Sequence, residues 1–127
     1  MARKALCAAV VLLMLASRPY PALAEFSGTV RRDAPVVVSI TTINGNESAA
    51  TIFLLAADKV QDVISLSAPY GETDRLELPM TRNTLRIVIL VDVPTGGNTR
   101  VAISEFGAPV FPDVVIIEDK RYTLNVR

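Results

Sequence analysis

Apolar and polar residues alternate along most of the chain after residue 25, and a period of two is typical of β-strands with one buried face. The strongest segment is 84–93, in which every second residue from Leu85 is apolar and the other face also becomes apolar at Val88 and Leu90. A strand that is apolar on both faces is expected at the centre of a sheet. The same pattern places further strands at residues 26–31, 36–43, 51–56, 62–67, 75–78, 99–106, 114–117 and 121–127.

Clusters of glycine, proline and asparagine separate these segments. Asn44-Gly45 supplies the positive φ angles of a tight hairpin turn, so strand 51–56 is expected to return antiparallel to strand 36–43. Residues 94–98 form a second turn signal, which predicts that 84–93 and 99–106 are hairpin partners. Residues 107–112 hold two prolines and a glycine, which favours a loop or an irregular edge.

The composition supports extended structure. Among the 103 residues from 25 to 127 there are 14 Val, 9 Ile and 10 Thr, whose branched side chains pack well on a pleated surface. This length is that of a single domain, and short strands at regular intervals are typical of sandwiches. We therefore predict an all-β fold: an antiparallel β-sandwich, immunoglobulin-like or jelly-roll-like, with seven to nine short strands in one domain over residues 25–127.

Residues 1–24 have the three zones of a cleavable signal peptide. Two basic residues come first, an apolar run follows at 5–16, and a polar, proline-broken stretch leads to Ala22 and Ala24. The apolar run has 12 residues, too few to span a bilayer as a helix. Cleavage is predicted between Ala24 and Glu25, which makes the protein secreted or periplasmic and leaves it without a transmembrane anchor. It also removes Cys7, the only cysteine, so the mature chain has no disulfide.

Charge and composition narrow the functions that the mature chain can carry. Three of the 13 basic residues and none of the 13 acidic residues lie in the predicted signal peptide, which leaves 10 positive and 13 negative charges, a net of −3. A mildly acidic domain lacks the electrostatic footprint of a nucleic-acid-binding protein. The chain has no His, so the commonest general base and metal ligand is missing.

Catalysis would have to rely on carboxylates. Glu72 with Asp74 and Glu118 with Asp119 are candidate pairs, but they lie in turn-like stretches where acidic residues are common. We interpret them as solvated turn residues and predict no catalytic residue, no metal ligand and no cofactor.

Two features suggest protein binding. The stretch from Phe106 to Pro112 interleaves aromatic residues with proline, so Phe106, Pro109 and Phe111, with Tyr70, are candidate residues of a recognition patch. The alternative is that this loop covers one end of the core.

The last strand is the second feature, because it could be a sheet edge that pairs with a partner strand. Its outward residues would be Arg121, Thr123, Asn125 and Arg127, and these arginines could equally discourage such pairing. Both interpretations stay open.

In size, predicted export and strand pattern the chain resembles small periplasmic β-sandwich accessory proteins, such as fimbrial chaperones and curli-assembly factors. The resemblance is one of architecture, and it implies an accessory role. We expect an exported, non-catalytic protein-binding or assembly module of the cell envelope, whose partner is another envelope or secreted protein. A calcium- or carbohydrate-binding β-domain is the alternative, and a small carboxylate-dependent hydrolase is the third hypothesis.

Overall fold

The computed structural model describes residues 24–127. The predicted signal peptide, with Cys7 and Ala22, lies outside these residues apart from Ala24, which begins the first strand. None of the described residues forms a helix that is long and apolar enough to cross a membrane. Residues 24–127 form ten strands: β1 (Ala24–Val30), β2 (Val36–Asn44), β3 (Glu47–Leu55), β4 (Val60–Pro69), β5 (Thr73–Glu77), β6 (Arg86–Asp92), β7 (Asn98–Glu105), β8 (Ala108–Pro109), β9 (Val114–Ile116) and β10 (Lys120–Val126).

The strands form two sheets that pack as a sandwich. Sheet A has the order β1-β10-β6-β3-β4, and sheet B has the order β5-β2-β7-β8, with β9 also paired to β7. Every pair of strands is antiparallel except β1 and β10, which run parallel. The predicted all-β sandwich is confirmed. The strand beyond the predicted seven to nine is β8, which lies in the stretch interpreted as a loop or an irregular edge.

The predicted central strand is also confirmed, since β6 is the middle strand of sheet A. Its inward residues Ile87 and Ile89 are fully buried between the sheets, where most of the core lies. Its outer residue Val88 is buried as well, in a second cluster with Phe53 and Leu55 on the other face of the sheet. β6 is apolar on both faces because one face contacts the core between the sheets and the other contacts the second cluster.

Both predicted hairpins are wrong. β2 lies in sheet B and β3 in sheet A, and β6 and β7 are likewise in different sheets, so each turn crosses from one sheet to the other. The two turns pack against each other at one end of the sandwich: a Cβ added to Gly97 would lie 2.4 Å from the carbonyl oxygen of Asn44. Turn residues set the local backbone angles, but they do not determine which sheet receives the next strand.

Beside these turns, three hydroxyl groups form a buried network between the sheets. The Ser48 hydroxyl lies 2.8 Å from that of Thr42 and 2.5 Å from that of Thr99, and the Thr42 hydroxyl donates to the carbonyl of Ala68 at 2.6 Å. Because buried polar groups are costly unless they are paired, this network fixes the crossing of the two sheets without any charged group.

Candidate functional site

The turn between β7 and β8 has an unusual backbone. It consists of Phe106 and Gly107, with φ angles of 52° and 77°. A two-residue hairpin with positive φ at both positions is a type I′ turn, which favours Asn-Gly. Phe106 is the only residue other than glycine with positive φ among the described residues. The left-handed region costs a side chain of this kind roughly 1–2 kcal/mol, so the turn is strained at Phe106.

The ring of Phe106 remains accessible despite that strain. Its residue is 56% exposed, and the guanidinium carbon of Arg31 lies 5.3 Å from the ring centroid. That separation is within the range of a cation–π interaction, worth about 0.5–1 kcal/mol at an exposed site. The interaction therefore offsets part of the strain and orients the ring without burying it.

Backbone contacts hold the Phe106 turn against the loop between β1 and β2. The N–H of Phe106 donates to the carbonyl of Pro35 at 3.1 Å, and the N–H of Arg31 donates to the carboxylate of Glu105. Arg31 also forms an exposed ion pair with Asp33 at 3.6 Å, a contact of little energetic weight in solvent. Two separate loops thus present one preorganised surface.

A cavity of about 250 Å³ lies beside the same β1–β2 loop. It is lined by Arg32, Asp33, Ala34, Pro35, Glu77, Leu78 and Met80. This volume is below the 300–1,000 Å³ typical of small-molecule sites, and it suits a single side chain of a partner better than a cofactor.

The structure brings together two of the four residues predicted for the recognition patch. Pro109 is exposed in β8, in the same hairpin as Phe106. Tyr70 is 65% exposed, but it lies in the β4–β5 turn, where it bridges Thr42 near the other end of β2. Since Phe106 lies beside Pro35 at the start of β2, the two aromatic residues are separated by roughly 20 Å of strand.

Phe111 is partly buried against the core and does not share the exposed surface of Phe106. Its ring centroid lies 5.4 Å from that of Tyr122 and 6.1 Å from that of Phe26. It packs over Gly28, where an added Cβ would be 3.0 Å from the Phe111 ring. These contacts favour the alternative, that the loop covers the core, at Phe111.

The edge-strand hypothesis for the C-terminal strand is also wrong. β10 lies between β1 and β6, so its backbone is paired on both sides. The predicted alternation is confirmed: Tyr122, Leu124 and Val126 are buried, while Arg121, Thr123, Asn125 and Arg127 are not. On the outer face the Arg121 guanidinium and the Thr123 hydroxyl both donate to the Glu25 carboxylate.

The phenol of Tyr122 has a perturbed pKa. Burial raises the pKa of its phenol to about 12, because the charged form would lose its hydration. The Tyr122 hydroxyl has no hydrogen-bond partner. The ring of Phe26 stacks on the Tyr122 ring, with 5.1 Å between the ring centroids. Tyr122 stays protonated at neutral pH, and its surroundings are those of a core residue.

No family model, curated protein or solved structure matches this chain. Among the described residues, no three His, Cys, Asp or Glu side chains lie together as a metal ion would require. The geometry therefore carries the functional argument, and its clearest feature is the Phe106 turn. The sequence predicts this loop as a candidate site but not its positive φ angles. The dipeptide Phe-Gly, at a position where Asn-Gly is favoured, could have indicated them.

Proposed function

We propose that the protein is an exported, non-catalytic module that binds another protein of the envelope or the secreted fraction, with Phe106 as the aromatic anchor. The observation that carries the proposal is an exposed phenylalanine on a left-handed backbone. Asparagine would fit this turn with less strain, and the exposed ring adds little to the core. The fold alone gives no reason for a phenylalanine at this position.

Preorganisation supports this role. The Arg31 guanidinium over the ring and the hydrogen bond to Pro35 fix Phe106 before any partner arrives. Aromatic residues dominate binding energies, and an anchor that is already ordered loses little entropy on binding. The cavity beside the β1–β2 loop could receive one side chain of the partner.

Export and a non-catalytic role rest on the sequence. Residues 1–24 have the zones of a signal peptide, and the chain has no histidine. Three of the four residues in its acidic pairs lie in turns: Glu72 follows β4 at an exposed turn, and Glu118 and Asp119 precede β10. The prediction of a turn residue is wrong for Asp74, which lies in β5 and accepts the N–H of Ser67.

The substitution Phe106→Asn tests the proposal. It removes the strain of roughly 1–2 kcal/mol and the cation–π contact of about 0.5–1 kcal/mol, so the free energy of unfolding should stay equal or rise by up to about 1.5 kcal/mol. Capture of the partner by the tagged full chain from its native envelope should fall about tenfold or more. A stable variant that no longer binds separates recognition from folding.

Tyr70→Asn is the matched control, because it removes an even more exposed aromatic ring at the opposite end of the sandwich. This control should capture the partner at the wild-type yield. Undiminished capture by Phe106→Asn, or an equal loss with Tyr70→Asn, would refute the Phe106 turn as the binding site.

A further inference from the structure

The first strand leaves one row of backbone groups facing away from the sheet. At its end, Arg127 donates to the carbonyl of Val30 and accepts from the N–H of Arg32, so the even-numbered residues of β1 bond to β10. The register is unbroken from Ala24 to Val30. The odd-numbered residues Glu25, Ser27 and Thr29 therefore direct their N–H and C=O groups outward.

These outward groups are exposed and unpaired within the described part of the chain. Glu25, Ser27 and Thr29 are exposed residues, and no hydrogen bond of residues 24–127 reaches their outward N–H groups. The next outward N–H, that of Arg31, is closed by the Glu105 carboxylate. We call the outward groups of Glu25, Ser27 and Thr29 the open edge.

The strand at the other margin of sheet A is different. On β4, the N–H of Ser67 donates to the Asp74 carboxylate at 3.0 Å, and the N–H of Val63 donates to the Asp62 carboxylate at 2.9 Å. Acidic side chains thus occupy positions at which a further strand would bond. On β1 the only charged side chain is Glu25, and it is engaged by Arg121. The open edge has neither lysine nor proline to block an added strand.

We propose that the open edge pairs with the open edge of a second copy of this chain, antiparallel about a two-fold axis at Ser27. In this register Ser27 faces its own copy and Glu25 faces Thr29, so each of the three outward N–H groups meets an outward C=O of the other copy. No two like charges are opposed, since Glu25 lies across from a threonine. Sheet A then continues into the second copy.

The inference does not depend on the proposed function, because the Phe106 turn and the open edge are separate surfaces.

The substitution Ser27→Pro tests the proposal. Proline removes the outward N–H and puts its ring there, while the N–H groups of Phe26 and Gly28 stay paired to β10. Sedimentation equilibrium of the full chain expressed for export should show a wild-type dimer, and Ser27→Pro should weaken it roughly 30-fold, the effect of two lost hydrogen bonds.

Ser65→Pro is the matched control, because Ser65 is an exposed serine with an outward N–H on β4. The dimer should persist in this variant. A monomeric wild type at the highest soluble concentration, or equal weakening by the two prolines, would overturn the proposal.

A cysteine variant keeps the proposal testable if Ser27→Pro does not fold. In a Cys7→Ser background, Ser27→Cys places two thiols on the two-fold axis with Cα atoms about 5.5 Å apart, within disulfide range. Mild oxidation should yield a disulfide dimer with Ser27→Cys and little with Ser65→Cys. Equal cross-linking of both variants, or of neither, contradicts the predicted register.

Discussion

The two edge strands of sheet A are β1 and β4, and they differ in whether their outward N–H groups have hydrogen-bond partners. β4 ties down outward N–H groups with Asp62 and Asp74, whereas β1 leaves three outward residues unpaired. β1 does carry an acidic residue, Glu25, but its carboxylate turns toward Arg121 on the neighbouring strand. A charged residue in an edge strand therefore protects that edge only if its side chain reaches the outward N–H groups. The presence of the charge in the strand does not decide this; the partner with which its side chain pairs does.

The largest expected effect comes from detaching β1. Phe26→Ala removes a ring that stacks on Tyr122 and contacts Phe111, and should lower the free energy of unfolding by about 3 kcal/mol. Denaturant unfolding of the full chain measures this loss.

Hydrogen exchange distinguishes local detachment of β1 from general destabilisation. Arg121, Thr123 and Asn125 direct their N–H groups toward β1, whereas Tyr122 and Leu124 direct theirs toward β6. Phe26→Ala should speed exchange in the first set more than in the second. Equal acceleration in both sets would show that β1 is not a separable margin.

The second prediction concerns removal of the two carboxylates on β4, which leaves its outward N–H groups unpaired like those of β1. Asp62→Ala combined with Asp74→Ala frees the N–H groups of Val63 and Ser67, at a cost of about 2 kcal/mol for two hydrogen bonds. In a Ser27→Pro background this pair should restore self-association in sedimentation experiments, now through β4.

Asp58→Ala, in the exposed turn between β3 and β4, is the control for loss of negative charge. It should not restore association. A double aspartate variant that stays monomeric with Ser27→Pro would show that the carboxylates do not guard β4.

The smallest predicted effect concerns Tyr122, which lies opposite Phe26 on β10. Tyr122→Phe removes a buried hydroxyl that has no partner, so the free energy of unfolding should rise by about 1 kcal/mol. The pKa of the phenol is raised from 10.0 to about 12 in the folded state, so its protonated form stabilises the fold below pH 10. That contribution is lost as the pH rises toward 12, and thermal melts of Tyr122→Phe should lack this part of the decline.

Tyr70→Phe, a change at an exposed tyrosine, serves as the comparison. It should leave both the stability and its decline at high pH as in the wild type. A Tyr122→Phe variant that is less stable than the wild type would indicate that the hydroxyl has a partner.

The strands could be predicted because each buries one face, and burial is recorded in the alternation of single residues. The connections could not, because Asn44-Gly45 fits a hairpin and a crossing between sheets equally well. The same limit applies at the C-terminal strand, which was open to interpretation as an edge because nothing local shows that β1 returns to cover it.

The candidate site was predicted in part for a similar reason. Phe106 and Phe111 lie five positions apart in one proline-rich stretch and look equivalent in the sequence. Their roles separate only once Gly28, on a distant strand, leaves space for Phe111, and Arg31 comes to lie over Phe106.

The pairing of β1 with β10 also determines when sheet A can be completed during synthesis of the chain. Glu25 and Arg121, which face each other in these strands, are 96 residues apart along the chain. Sheet A therefore cannot close at β1 until almost all of the chain has left the ribosome, and contacts of such long range form slowly. Under the export that we propose, this delay would keep the chain unfolded during synthesis, and the final strand pairing would follow on the far side of the membrane.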